Sequence, residues 1–186
     1  MRDTKAQIAR SLSKLVSLRL AIARDAGNMK NFQFGVIRPH PAGKGTVGEY
    51  ALHIQCPWRL LHEGDIVTGS ADYYEPAEMD DEVDLQDGQA GNLQRKRLGE
   101  TLRSYDAATS SWINGTGELV VESIVVDDFG GFEISLSGKF RLQVFPSGSR
   151  GEYWRLFAPG SEDEHLVIDG GQISSAPPEP SSREEP

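Results

Sequence analysis

The chain has a single cysteine, Cys56, so no disulfide can form within it. It also lacks an apolar run long enough to span a bilayer. Met1 to Arg24 carries six basic residues and scattered apolar ones, unlike a signal peptide. The expectation is a cytoplasmic protein without membrane insertion. Basic residues are in short supply overall. Nineteen Lys and Arg against 28 Asp and Glu leave a net charge of −9, which works against nucleic-acid binding because phosphates must be neutralised. From Asp72 to Asp87 there are eight acids and no lysine or arginine. Such a block resists packing and reads as a solvated loop, or as a surface that steers a protein partner with a basic face.

What is present is a chain of 186 residues, enough to bury one sizeable core without a covalent staple. The most informative stretch is Gly48 to Leu60. Tyr50, Leu52, Ile54 and Cys56 alternate with Glu49, Ala51, His53 and Gln55, the period of a half-buried strand that Pro57 then ends. Parity sets Cys56 on the apolar face and His53 on the polar one. A Cys–His catalytic pair inside this stretch is therefore excluded.

Thr4 and Gln7 form a capping box for a short helix whose Ile8, Leu12 and Leu15 share a face. Alternation then predicts a strand over Leu15 to Ala23, and another through Phe32, Phe34 and Val36. His62-Glu63-Gly64-Asp65 turns the chain into a strand around Ile66 to Thr68. Leu93, Leu98 and Leu102 suggest a second helix, weakened by Gly99. The apolar run Leu119 to Val126 predicts a strand buried on most of its surface. Further strands follow around Phe132, Phe140, Tyr153 and His165. The Ser137-Gly138-Lys139 loop should be odd in length. Leu136 then faces Phe140, Ile134 faces Leu142, and Phe132 faces Val144, with Glu133, Ser135, Arg141 and Gln143 on the opposite face. The fold class is α+β and predominantly antiparallel β, an N-terminal helix with meanders in both halves, in a barrel-like or two-sheet arrangement. One domain covers 1–170, its halves 1–71 and 92–170 flanking an acidic insertion at 72–91. The Pro-, Ser- and Glu-rich tail 171–186 has too little apolar surface to fold. Asn114-Gly115-Thr116 reads as a turn.

Four pieces carry a resemblance: Phe32-Gln33-Phe34-Gly35, the run Tyr50-Ala51-Leu52-His53-Ile54-Gln55-Cys56-Pro57-Trp58-Arg59, Phe140-Arg141-Leu142-Gln143-Val144-Phe145-Pro146, and Glu152-Tyr153-Trp154-Arg155-Leu156-Phe157. Together they resemble a set in small bacterial proteins of unknown function, over residues 15–70 and 117–168. The resemblance implies a bacterial, cytoplasmic origin and a β-rich fold, and it transfers no catalytic residue.

Cys56 reads as a small buried hydrophobe, since a reactive thiolate needs an electropositive setting. His53 and His62 lack the spacing of a metal motif, and Glu63, Asp65 and Asp72 sit beside turns that recruit acids for backbone hydrogen bonds. Gly130-Gly131 and Gly170-Gly171 lack the helix and lysine of a phosphate loop. Trp58-Arg59 and Trp154-Arg155 have hot-spot chemistry, or else cap the core with their rings. The expectation is a non-catalytic interaction module, immunity-like or regulatory, acting through a polar sheet face or the acidic loop. It needs no metal and no cofactor. The alternative is a small-molecule-binding protein or enzyme with a pocket near His53, Gln55, Trp58 and Arg59. Binding residues are sought among these four with Trp154 and Arg155.

Overall fold

The computed structural model describes residues 2–27, 29–41, 45–78 and 91–176. The core of the acidic insertion (79–90) and the end of the tail (177–186) lie outside the described residues. Helix α1 (Arg2–Leu12) starts earlier than the capping box implies, so Thr4 is inside it rather than capping it. One 3-10 turn, Ser13–Leu15, continues the same apolar face, and Ile8, Leu12 and Leu15 are all buried.

The strand expected from Leu15 begins later. Ser17 adopts φ 69°, and its N–H donates to the Val121 carbonyl (2.8 Å) while Val121 N–H donates to Leu18 O (2.8 Å). Leu15 is committed to the helical face, so β1 runs over Leu20–Ala26 instead. Strand β2 (Met29–Phe34) buries Phe32 and Phe34, but Gly35 at φ 89° breaks the alternation and leaves Val36 68% exposed. A short pair, β3 (Arg38–Pro39) and β4 (Thr46–Val47), precedes β5 (Tyr50–Ile54), β6 (Trp58–His62) and β7 (Asp65–Gly69). Glu63 and Gly64, both at positive φ, make the two-residue β6–β7 turn.

Helix α2 (Leu93–Leu102) is capped by Asn92, whose side chain accepts from Arg95 N–H at 2.8 Å. Gly99 lies in this helix because the Trp112 ring fills the space beside it. A Cβ on Gly99 would sit 2.6 Å from that ring. Gly99→Ala gains about 1 kcal/mol of helix propensity but overpacks at about 1–3 kcal/mol. The expected net is a fall of about 1 kcal/mol, read from urea denaturation; a stabilised variant would refute the contact.

The chain continues through β8 (Tyr105–Asp106), β9 (Ser111–Ile113), β10 (Val121–Val126), β11 (Phe132–Leu136), β12 (Phe140–Val144), β13 (Glu152–Phe157), β14 (His165–Asp169) and β15 (Gln172–Ala176). The expected Asn114 turn is present: the Asn114 side chain accepts from Thr116 N–H at 3.1 Å. Strand β15 corrects the expected tail. Residues 172–176 pair with β14 through Ile168 opposite Ile173, so backbone pairing orders a segment that is poor in apolar residues.

Two antiparallel sheets hold the core, and neither closes into a barrel. The large sheet has the order β15-β14-β13-β5-β2-β1-β9-β8, and the small one β10-β11-β12-β6-β7. Both halves of the chain enter both sheets, since β5 pairs with β13 and β6 with β12. The inner faces meet in edge-to-face contacts between Phe32 and Trp58 (5.1 Å) and between Phe132 and Trp154 (5.0 Å). Helix α1 packs along β10 and β15 on one side, and α2 along β7 and β9 on the other.

The β11–β12 register is the odd-loop one: Leu136 faces Phe140, Ile134 faces Leu142 and Phe132 faces Val144. Gly138 and Lys139, at φ 69° and 62°, close the loop. Burying one apolar side chain is worth roughly 1.5–3 kcal/mol, which outweighs the preference for a two-residue turn.

Candidate interaction surface

Alternation sends every second residue of the small sheet to its outer face. Val125, Glu133, Gln143 and Arg59 stand side by side across β10, β11, β12 and β6. Ser123, Ser135, Arg141 and Leu61 make the adjacent row. Arg59 Nε donates to Gln143 Oε1 at 2.6 Å, Gln143 Nε2 donates to Glu133, and Arg141 reaches the same carboxylate at 3.4 Å. The Arg59 guanidinium also lies over the Phe145 ring, 5.3 Å from its centroid. The polar groups are thus held in place by one another.

Apolar side chains surround this network. Val125 is 67% exposed, Ile66 61% and Phe145 41%. The run Leu119 to Val126 was expected to be mostly buried, but β10 is an edge strand with one face open, so Glu122, Ser123 and Val125 meet solvent. Val125, Phe145, Arg59 and Glu133 border a shallow depression of about 270 Å³. Sequence parity identified Glu133, Ser135, Arg141 and Gln143. It missed Val125, because the apolar run Leu119 to Val126 has no alternation from which an outward position could be read.

The remaining candidates scatter. Trp58 and Trp154 are buried between the sheets, and Trp154 Nε1 donates to Gly130 O at 2.7 Å. His53, Gln55 and Arg155 belong to the outer side of the large sheet, away from Arg59. There Arg155 pairs with the Glu152 carboxylate through two bonds (2.7 and 2.5 Å) and stands opposite His53 on the neighbouring strand. Hydrogen bonding from Arg155 holds the Glu152 carboxyl below its usual range. The His53 ring meets Phe157 edge-on at 4.8 Å, and Phe157 stacks on His165 at 4.2 Å. Burial first, and then the Arg155 charge, lowers the His53 pKa to about 4.

His62 is in the other sheet, stacked on Phe140 at 4.2 Å. Glu63 pairs with Lys139 (2.6 Å), and Asp72 accepts from Thr68 Oγ1 (2.8 Å) and Gly69 N–H (3.3 Å), so these acids serve turns. The acidic insertion leaves and returns at one neck, where Ala77 N–H donates to Gly91 O (2.7 Å) and Glu78 pairs with Lys96.

Cys56 is buried, and burial pushes its thiol up to about 12. A thiol reagent at pH 8 should label it at least about a hundredfold more slowly in the folded protein than in urea. Equal rates would place the thiol at the surface.

Among the described residues no helix is long and apolar enough to cross a membrane. Compared with protein-family models, curated proteins and solved structures, the chain gives no match.

Proposed function

We propose that the protein is a non-catalytic interaction module, immunity-like or regulatory, that docks a protein partner through the outer face of the small sheet. The observation that carries this reading is the Arg59–Gln143–Glu133–Arg141 network ringed by exposed Val125, Ile66 and Phe145. Preorganised polar groups beside exposed apolar and aromatic side chains are the composition of a recognition surface. Both arginines already serve the internal network, while Glu122 is exposed on the edge strand β10. With the net charge of −9, this favours a partner with a basic surface and disfavours nucleic acid. A cytoplasmic setting and a bacterial origin belong to the same proposal.

The test is copurification from native cells, read by mass spectrometry, with wild type beside Val125→Lys and Phe145→Ala. Both positions are exposed, so melting temperatures should stay near wild type. A partner retained by wild type, lost from both variants and weakened by salt supports the face. A partner kept by both variants, but lost when residues 79–90 are replaced by a Gly/Ser linker, would overturn it.

A further inference from the structure

Strands β13, β14 and β15 form one end of the large sheet. Helix α1 packs against β15 and β10, with Ile8 and Leu12 buried. Beyond its end, a cavity of about 290 Å³ opens between the 3-10 turn and the β14–β15 hairpin. Its apolar lining includes Leu156, Leu166 and Ile173, one from each strand. Lys14 lines it from the helical side, and Asp163 and Glu164 from the loop that feeds β14.

Lys14 differs from the other described lysines. Of the five lysines among the described residues, four hold a carboxylate: Lys5 with Asp128, Lys30 with Asp25, Lys96 with Glu78 and Lys139 with Glu63. Among the described residues Lys14 forms no such pair, although two carboxylates line the same cavity. Neither Asp163 nor Glu164 has an ion-pair partner among the described residues. A lysine, two carboxylates and three apolar side chains on one cavity are the groups that a zwitterion with a hydrocarbon side chain would need.

We infer that this cavity binds a small zwitterion with an apolar side chain, the chemistry of a free hydrophobic α-amino acid. Its carboxylate meets Lys14, its ammonium meets Asp163 and Glu164, and its side chain lies on Leu156, Leu166 and Ile173. The volume suits a leucine- or phenylalanine-sized molecule and falls at the small end of ligand pockets. This site is separate from the small-sheet face, and the two readings stand or fall apart.

Isothermal titration of the full chain tests it with four probes: L-leucine, L-phenylalanine, 3-methylbutylamine and 4-methylpentanoate. At least one amino acid should bind saturably with a Kd of about 1 mM or tighter, and each single-charge analogue of leucine about fivefold or more weakly. Lys14→Ala, an exposed change, should weaken the amino acid about fivefold and leave the amine unaffected. Ile173→Trp should abolish binding by filling the floor, while Val125→Lys should leave it unchanged. No saturable heat from either amino acid at about 20 mM would overturn the inference. So would Lys14→Ala binding at wild-type strength, or tighter binding of a single-charge analogue.

Discussion

Asp25→Ala should destabilise the fold by about 3–5 kcal/mol, because it strands a buried ammonium. Lys30 is 2% exposed and projects from β2 toward the core beside Trp58, whose ring centroid is 5.9 Å from its Nζ. Its charge is met by Asp25 at 2.5 Å and by Gln94 Oε1 at 2.9 Å, and Gln94 Nε2 in turn donates to Gly69 O at 2.9 Å. The network joins the large sheet, α2 and β7. Lys30→Met, which replaces the charge with an apolar chain of similar length, should cost much less than Asp25→Ala. The order of the two variants in urea denaturation is the test, and a larger loss for Lys30→Met would refute it.

The same pair predicts a pH dependence. Burial lowers the Lys30 pKa, and Asp25 is the main group opposing that fall, so Asp25→Ala should lower it further. The folded state then releases this proton at a lower pH than the unfolded chain does. Below the folded value both states carry the proton and the penalty is complete. Between the folded value and the ordinary 10.5, the unfolded state holds more protons, so stability contributed by this site rises with pH. The deficit of Asp25→Ala relative to wild type should shrink between pH 7 and pH 10.

His53 should make the protein acid-sensitive over a window that ordinary histidines do not give. Its pKa falls from 6.5 to about 4. Between those values the unfolded chain binds a proton that the folded one does not, so stability falls as pH drops from 6.5 toward 4. At 1.36 kcal/mol per unit the full loss is on the order of 3 kcal/mol. Arg155, Arg24 and His165 disfavour the imidazolium, and Glu152 opposes them. His53→Gln should flatten this part of the profile, with wild type and variant compared at pH 4.5, 5.5 and 6.5. Nuclear magnetic resonance should place the folded His53 titration near pH 4. A midpoint near 6.5, or equal slopes for the two proteins, would refute the assignment.

Part of this architecture was legible in the residues themselves. Where one side of a strand must be apolar, the period of two fixes which residues point inward. That rule placed Leu52, Ile54 and Cys56 inside, gave the β11–β12 register, and collected Glu133, Ser135, Arg141 and Gln143 on one outer face. The same rule failed around Val16, because residues 13–15 could extend either the helical face or the alternation, and contact with β10 selected the first. It failed at Gln172 to Ala176, whose order comes from a hairpin partner rather than from apolar content.

What tertiary structure decided is which outward residues become neighbours. Trp58-Arg59 and Trp154-Arg155 look alike in sequence, yet their arginines lie on the outer faces of different sheets because β6 and β13 were assigned to different sheets. Gly99 reads as a helix breaker until Trp112, thirteen positions on, is seen packed against it. Lys30 sits opposite Asp25 in the β1–β2 hairpin, a local pairing, but Gln94, 64 residues away, completes its shell. Periodicity specifies a side chain's face within its own strand. Pairing between distant strands specifies its company, and that depends on the whole chain closing around one core.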